Sequence, residues 1–283
     1  MSLPDIILRP LVENALREDL GRAGDITTTA IIPAETTWQA ALNARQVGII
    51  AGLDLARLAF QIFDPTVQFT LLKKDGDAAV AGDCLAKISG PARSLLSAER
   101  VALNFLCHLS GIATETNKLV EAAKPHKAHI CCTRKTTPGL RAVEKYAVKA
   151  GGGHNHRFGL DDAILIKDNH IAVAGGVKPA IESAIKAIGH LVKIEIEVDT
   201  LAQLDEVLAL HPTHPVDVVL LDNMDIVTLK TAVTKIAGRL KAEASGRITR
   251  ETVAAIAATG VDIISAGWIT HSAPILDIGL DKL

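Results

Sequence analysis

Short apolar runs, most of them followed by a helical pattern, dominate the second half of the chain. The runs begin near residues 129, 163, 193, 217, 240 and 262. Such a series of βα units is typical of proteins with a parallel sheet. Six units in series predict a closed or nearly closed β/α barrel. A doubly wound open sheet is the alternative, although no G-x-G-x-x-G sequence follows the first run.

The first half of the chain has no regular alternation of strands and helices, and we predict a small α+β domain there. Helical spacing of apolar residues covers 10–20, with Pro10 in the first turn and Gly21 at the end. The D-I-T-T-T sequence that follows is typical of a loop. The remaining patterns are strand-like over 37–45, 67–73 and 84–89 and helical over 53–63.

A long helical pattern over 92–123, broken or bent near Ser110-Gly111, links the two halves. We predict an N-terminal domain at 1–112 and a catalytic domain at 113–270. A C-terminal segment, 271–283, is expected to pack back on the N-terminal domain.

Composition narrows the class of protein. Of 283 residues, 48% are hydrophobic but only 3% aromatic, which predicts an aliphatic core of the kind that buried parallel strands form. The 30 basic and 32 acidic side chains leave a net charge of −2, so no basic surface for nucleic acid is expected.

Four cysteines without a C-x-x-C spacing favour a reducing compartment. No signal peptide or membrane-spanning run is visible, and we expect a cytoplasmic protein that does not enter a membrane.

Positive charge is concentrated between residues 134 and 167, a stretch that contains seven Lys or Arg but only three acidic residues. Barrel active sites form where the strands end. The cations that leave predicted strands, or lie in the glycine-rich loop between them, are therefore the candidates for binding a small anion: Arg134, Lys135, Arg157 and Lys167. A helix capped by Thr137 and begun by Pro138 would instead carry a solvated stripe of Arg141, Lys145 and Lys149.

The loop G-G-G-H-N-H-R has two interpretations. His154 and His156 are close enough in sequence to suggest a transition-metal site, but no third ligand has recognisable spacing. Glycine amides beside Arg157 fit an anion site equally well.

Carboxylates follow the next strands. In the run K-I-E-I-E-V, Glu195 and Glu197 alternate with isoleucines and point into the barrel, where unpaired charges would cost several kcal/mol. Asp222 ends V-V-L-L-D. Glu197 and Asp222 together suit sugar hydroxyls or Mg²⁺. The loops E-A-S-G-R and S-A-G-W-I, after the last two strands, occupy the usual phosphate position of β/α barrels.

Seven motifs, in order, resemble the quinolinate phosphoribosyltransferase family (nicotinate-nucleotide pyrophosphorylase, carboxylating). They are C-T-R-K-T-T-P-G-L-R, G-G-G-H-N-H-R, L-I-K-D-N-H, E-I-E-V, L-L-D-N, E-A-S-G and T-H-S-A-P-x-L-D-I-G-L-D. The resemblance covers nearly the whole chain. It implies an incomplete β/α barrel of the type II phosphoribosyltransferase kind, with a smaller N-terminal α+β domain that closes the barrel of the other subunit in a homodimer.

The resemblance also implies a reaction and its residues. Quinolinate and phosphoribosyl pyrophosphate, with Mg²⁺, would give nicotinate mononucleotide, pyrophosphate and CO₂ in NAD biosynthesis. Arg100, by itself an ordinary solvated helix charge, would cross the dimer interface. The implied substrate site adds Thr133, Arg134, Lys135, His156, Arg157, Lys167, Glu197 and Asp222; of these, Lys135, Lys167, Glu197 and Asp222 would be catalytic, and the last two would hold Mg²⁺. The implied phosphate site comprises Ser245, Gly246, Arg247, Gly267, Trp268 and Ile269.

Two positions depart from the family pattern: Arg247 stands where a second glycine is common, and Trp268-Ile269 replaces Ala-Leu. Three rival functions stay open. They are a related pyrophosphorylase-like protein associated with molybdate transport, a Schiff-base lyase using Lys135 or Lys167, and an anion-sensing module. The presence of Glu197 and Asp222 favours phosphoribosyl transfer over the last two.

Overall fold

The computed structural model describes residues 3–283, which form two compact units. Unit 1 comprises residues 3–117, Thr137–Gly152 and Ile269–Leu283, and unit 2 comprises Lys118–Thr136 and Gly153–Trp268. The helices are α1 (Asp5–Leu20), α2 (Ile26–Ile31), α3 (Leu53–Phe63), α4 (Ala92–Ala123), α5 (Arg141–Ala150), α6 (Asp168–Ala174), α7 (Val177–Ala187), α8 (Leu201–Leu210), α9 (Ile226–Ile236), α10 (Val253–Ala257) and α11 (Trp268–His271). Within residues 3–283, none of these helices is long and apolar enough to cross a membrane.

Unit 1 is built on an antiparallel sheet, as the irregular pattern of the first half predicts. Its strands are β1 (Thr37–Ala44), β2 (Gly48–Ile49), β3 (Gln68–Leu71), β4 (Ala78–Ala79), β5 (Cys84–Pro91) and β12 (Ile278–Lys282). The main sheet has the order β12-β1-β5-β3, and β2 pairs separately with β4. The C-terminal strand is thus hydrogen-bonded to β1, with Leu42 opposite Leu280.

Unit 2 contains the six predicted βα strands in one parallel sheet. They are β6 (His129–Cys131), β7 (Ile164–Ile166), β8 (Ile194–Val198), β9 (Val218–Asp222), β10 (Lys241–Ser245) and β11 (Ile263–Ser265). The order is β6-β11-β10-β9-β8-β7, so the first strand pairs with the last. An open doubly wound sheet does not have this order. The prediction of an incomplete barrel is confirmed, and the barrel is open between β6 and β7.

The alternation predicted for β8 is also confirmed. Ile194, Ile196 and Val198 are at most 3% exposed, which places them in the aliphatic layer between sheet and helices. Glu195 and Glu197 consequently point to the other side of the sheet, the barrel interior, because side chains alternate along a strand.

Two predictions for the first 31 residues are wrong. The first helix begins at Asp5 rather than at Pro10, and Pro10 lies inside it on an exposed position, where the carbonyl left without a partner can face water. The D-I-T-T-T sequence is not a loop but the start of α2. Asp25 caps this helix, because its Oδ1 accepts a hydrogen bond of 2.8 Å from the backbone N–H of Thr28.

The predicted cationic stripe on α5 is wrong in one of its three members. The helix begins at Arg141, after Pro138, and Lys149 is exposed, but Lys145 is only 2% exposed. The spacing of the charges is helical, yet the helix is covered on the Lys145 side as well as on the side of Val143 and Ala147. Periodicity of charge does not reveal that kind of burial.

Helix α4 runs without interruption through Ser110-Gly111, where the sequence suggests a break or bend. The two small residues serve close packing instead. Ser110 Oγ accepts a hydrogen bond of 3.0 Å from the N–H of Ala51, and a Cβ at Gly111 would overlap the carbonyl oxygen of Pro274 and lie 3.0 Å from Ile275 Cα. The C-terminal segment therefore crosses α4 at the position where α4 has no side chain.

We expect Gly111→Ala to destabilise the protein by about 1–2 kcal/mol. The overlap is with backbone, which no rotamer change relieves, and its cost of about 3 kcal/mol exceeds the gain of about 1 kcal/mol from replacing a helical glycine. Thermal unfolding measures the effect. Gly189→Ala is the matched control, because its Cβ would meet no atom within 4 Å; an unchanged midpoint for Gly111→Ala would refute the packing argument.

Candidate active site

A cavity of about 570 Å³ lies where the parallel strands of unit 2 end. Side chains from all six strands or the loops after them line it. They are Thr133, Arg134, Lys135, His156, Arg157, Leu165, Lys167, Glu197, Leu220, Asp222, Asn223, Glu243, Ser245, Gly246, Arg247 and Ser265. The structure thus brings together eleven of the fifteen predicted site residues.

The predicted cations form one side of this cavity. Arg134 and Lys135 follow β6, Arg157 lies between β6 and β7, and Lys167 follows β7. The Nε atoms of Arg134 and Arg157 are buried and have no hydrogen-bond partner among residues 3–283. Burial, and then the neighbouring charge of Arg134, lower the pKa of Arg157, although a guanidinium stays charged. Desolvated donors of this kind suit a carboxylate-bearing ligand.

Two carboxylates follow the next strands, β8 and β9. Glu197 Oε2 lies 3.1 Å from Lys167 Nζ, and burial raises the pKa of Glu197 despite that contact. Burial, and then the charge of Asp199, raise the pKa of Asp222. A divalent cation would offset both burial costs. The donor set, carboxylate oxygens open to a cavity that can also hold substrate oxygens, fits Mg²⁺.

The third part of the cavity is built from backbone turns after β9 and β10. Gly246 has φ 89°, and the non-glycine residues Asn223 and Arg247 have φ 52° and 53°. Left-handed backbone costs an ordinary residue about 1–2 kcal/mol. Asn223 N–H donates to Ser245 O at 2.9 Å, which ties the two turns together. Turns of this kind expose N–H groups to an anion.

The remaining predicted residues do not line the cavity. Gly267 adjoins it, because a Cβ there would lie 2.8 Å from Lys135 Cδ. Trp268 donates its Nε1–H to Ile248 O at 2.9 Å and so braces the loop that carries Arg247. Ile269 is fully buried, and Arg100 is an exposed residue of α4 in unit 1.

Five residues that line the cavity are not among the predicted ones: Leu165, Leu220, Asn223, Glu243 and Ser265. In the sequence, Asn223 appears only as a member of the motif L-L-D-N, and Glu243 appears only as a member of the motif E-A-S-G. The signal for Glu243 was present, since Glu243 and Ser245 alternate with Ala242 and Ala244 as inward and outward positions of β10.

Glu243 belongs to a buried cluster with His156 and Glu195. His156 Nε2 lies 2.8 Å from Glu195 Oε2 and 3.9 Å from Glu243 Oε1. Burial, and next the charge of Glu195, raise the pKa of Glu243 well above its usual range.

By distance these three side chains resemble a metal site, because their ligand atoms lie within 4.8 Å of one another. The hydrogen bonds argue against it. His156 Nδ1 accepts the N–H of Arg157 at 2.9 Å, so the ring hydrogen is on Nε2 and leaves no lone pair there for a metal. The metal interpretation of G-G-G-H-N-H-R is therefore not favoured by the structure.

Comparison with known proteins is decisive for the family. The sequence models for the N-terminal and C-terminal domains of quinolinate phosphoribosyl transferase match residues 25–110 and 112–281. The chain belongs to the quinolinate phosphoribosyltransferase family. The resemblance carried by the seven motifs is thereby confirmed.

The similarity between this chain and its relatives extends over almost their whole lengths. The probable nicotinate-nucleotide pyrophosphorylase [carboxylating] of Bacillus subtilis is 45% identical over 97% of this chain and 93% of its own. The Mycobacterium leprae protein of that name is 44% identical over 96% of each. The crystal structure of NadC from Streptococcus pyogenes superposes with a TM-score of 0.94 at 42% identity, over 100% of this chain and 99% of that one.

We expect Arg247→Gly to raise the free energy of unfolding by about 0.5–1 kcal/mol, because it removes left-handed strain of about 1–2 kcal/mol at a smaller cost in chain entropy. The same change should weaken binding of inorganic phosphate several-fold, since a cation leaves the cavity. Thermal unfolding and calorimetry measure the two effects. Arg247→Ala keeps the strain and is the control: it should weaken phosphate binding without stabilising. Equal phosphate affinity in all three proteins would contradict the assignment of Arg247 to the anion site.

Proposed function

We propose that this chain is a quinolinate phosphoribosyltransferase. It transfers the phosphoribosyl group of phosphoribosyl pyrophosphate to quinolinate with decarboxylation, giving nicotinate mononucleotide, pyrophosphate and CO₂, a cytoplasmic step of NAD biosynthesis. One observation carries the proposal beyond family membership: the cavity has three chemically distinct sectors in the order that the reactants require. Cations follow β6 and β7, carboxylates follow β8 and β9, and left-handed turns follow β9 and β10.

The cationic sector suits quinolinate, a pyridine with two adjacent carboxylates. Arg134 and Arg157 carry buried, unpartnered Nε donors, and Thr133 and Lys135 lie beside them. Bidentate contacts from guanidinium groups fix both the position and the plane of a carboxylate. Quinolinate held in this way directs its ring nitrogen toward the carboxylate sector.

The other two sectors suit the phosphoribosyl donor. Glu197 and Asp222 accept hydrogen bonds from ribose hydroxyls, and the turns at Ser245, Gly246 and Arg247 receive the 5′-phosphate. Gly267 and Trp268 support that loop from β11. Ile269 contributes through packing, since it is buried and away from the cavity lining.

The chemistry follows from this placement. The pyridine nitrogen forms a bond to ribose C1 as the bond from C1 to the pyrophosphate oxygen breaks, and the electron pair leaves with pyrophosphate. Positive charge develops on the sugar, where Glu197 and Asp222 stabilise it. The nitrogen is then quaternary, and its positive charge stabilises the electron pair left at C2 when CO₂ departs. A proton from water bonds to that pair at C2 and completes the product.

Mg²⁺ is the proposed cofactor, held by Glu197 and Asp222 partly through substrate and water. When bound, it neutralises charge on the pyrophosphate leaving group. The support from this chain is the pair of carboxylates whose pKa values burial raises and which face the cavity.

Lys135 and Lys167 act as electrostatic groups in this proposal. Lys167 is in an ion pair with Glu197 and is half-exposed, whereas a Schiff-base lysine needs a neutral amine, usually obtained by desolvation. The Schiff-base lyase is therefore disfavoured. The alternative is the pyrophosphorylase-like relative associated with molybdate transport. The product formed from quinolinate and phosphoribosyl pyrophosphate separates the two functions.

A homodimer in which Arg100 reaches the partner's cavity is part of the proposal. Arg100 is an exposed cation on a helix whose neighbouring positions are buried, including Ala98 and Val101. Unit 2 also exposes an apolar groove along β7 and α6, where Val173 is 91% exposed beside an unpaired strand edge. An apolar edge of this kind is usually covered in the assembled protein.

We expect the purified protein with Mg²⁺ to release CO₂ from carboxyl-labelled quinolinate only when phosphoribosyl pyrophosphate is present. Decarboxylation follows glycosylation because only the positive charge of the quaternary nitrogen stabilises the electron pair left at C2. Trapped label measures the release, and chelation of the metal should reduce it at least tenfold. No release with both substrates and Mg²⁺ would sink the assignment, whereas release without the donor would indicate a simple decarboxylase.

Inactive Arg100→Ala and Lys135→Ala proteins should regain activity when mixed. A hybrid dimer has one cavity with both changes and one with neither, so we expect up to about a quarter of wild-type activity at full exchange. Mass spectrometry of differently tagged subunits monitors the exchange. If hybrids form and no activity returns, the two residues act in the same subunit.

A further inference from the structure

The proposed reaction uses neither Glu195 nor Glu243, although both are buried carboxyl groups beneath the cavity. Glu195 is 8% exposed and Glu243 is 2% exposed. A buried carboxylate is retained only where its contacts offset a desolvation cost of several kcal/mol, so the contacts of Glu195 show what it does.

The contacts of Glu195 run through His156. A backbone N–H can only donate, and the N–H of Arg157 lies 2.9 Å from His156 Nδ1. Nδ1 is therefore the acceptor nitrogen, and the ring hydrogen is on Nε2, which points at Glu195 Oε2 from 2.8 Å. Both ring nitrogens are engaged by the protein.

This arrangement changes the role expected for His156. The sequence places His156 in the wall that contacts quinolinate, and it does line the cavity. With Nδ1 accepting and Nε2 donating within the protein, however, neither nitrogen is left to donate to a substrate carboxylate. His156 presents only ring edge and face to the ligand.

Arg157 is the group that the arrangement holds in place. Its backbone N–H is fixed by His156, and its guanidinium Nη1 donates to Ala163 O at 2.9 Å. Its Nε is buried and unpartnered, as expected for a donor kept for a ligand. A small rotation of the loop would move this donor away from the carboxylate position.

We propose that Glu195 is a positioning residue for quinolinate binding: through neutral His156 it fixes the backbone of Arg157 and so aims the Arg157 guanidinium into the cavity. The proposal rests on the proposed function for the identity of the ligand. Glu243 supports Glu195 as a buried carboxyl group in hydrogen-bond contact with it.

The central comparison is Glu195→Leu against Glu195→Gln. Leucine has a similar volume but no hydrogen-bond acceptor. His156 therefore loses the partner of its Nε2–H, and the loop that carries Arg157 is no longer fixed through His156. We expect the KM for quinolinate to rise roughly 10- to 100-fold, as when a hydrogen bond that orients a binding group is removed. The KM for phosphoribosyl pyrophosphate should stay within about twofold. Glutamine still accepts the Nε2 hydrogen and should restore the quinolinate KM to within about threefold of wild type.

Unit 1 provides a matched control in a second histidine–glutamate pair, in which the glutamate is buried. His108 Nε2 lies 3.0 Å from Glu144 Oε1, and Glu144 is fully buried. Glu144→Leu should lower the thermal midpoint without raising the KM for quinolinate selectively. If both leucine variants raise both KM values alike, Glu195 has only a structural role and the proposal is overturned.

Nitrogen NMR of ¹⁵N-histidine-labelled wild-type protein tests the proposal even if Glu195→Leu does not fold. His156, assigned by comparison with His156→Gln, should show an Nε2–H tautomer that quinolinate does not change. An imidazolium, or an Nδ1–H tautomer, would overturn the proposal. This readout does not depend on turnover, so a failure to release CO₂ would reject the proposed function and leave the tautomer result to be judged separately.

Discussion

The candidate active site depends on how the protein compensates the carboxylates that point into the barrel. They point inward because side chains alternate along each β-strand. Glu195 and Glu197 on β8 and Glu243 on β10 point inward because their neighbours on each strand fill the aliphatic layer outside. An uncompensated carboxylate there would cost several kcal/mol. Compensation is unequal: Lys167 pairs with Glu197, His156 donates to Glu195, and burial raises the pKa of Glu243. Glu197, which is less buried than Glu195 and Glu243, is the one left open to a metal ion or a sugar.

The order of the strands then arranges these charged groups around the rim of the cavity. Neighbouring strands end next to each other, so the sequence of groups around the rim follows the sequence of strands. Lys167 and Glu197 meet where the cationic and carboxylate sectors join, and Asp222 lies opposite Ser245 where the carboxylate and phosphate sectors join. In the proposed function, the pyridine ring, the ribose and the phosphate would meet these sectors in the order in which they are linked in the product.

Much of this site could be predicted from sequence because strand exits carry it. The βα rhythm and the alternation in β8 locate Arg134, Lys167 and Glu197 without knowledge of any contact. Burial of polar residues was not predictable in the same way. Lys145 has the spacing of a solvated stripe yet is covered, and the alternation that places Glu243 on the inner side of β10 does not show that it is only 2% exposed. Which nitrogen of His156 carries the hydrogen depends on a backbone N–H that only folded geometry supplies.

Left-handed backbone at two adjacent strand ends indicates how the donor sectors act together. Asn223 and Arg247 each carry a strained φ, and such strain persists only where surrounding contacts fix it. Asn223 provides them: its N–H donates to Ser245 O, its amide donates to Asp222, and its side chain fills the space that any Cβ at Gly246 would need. A shift of the phosphate turn would therefore move Asp222 as well. In the proposed function, ribose and phosphate would be bound by one connected element, whose strain is compensated by Asn223 rather than by the ligand.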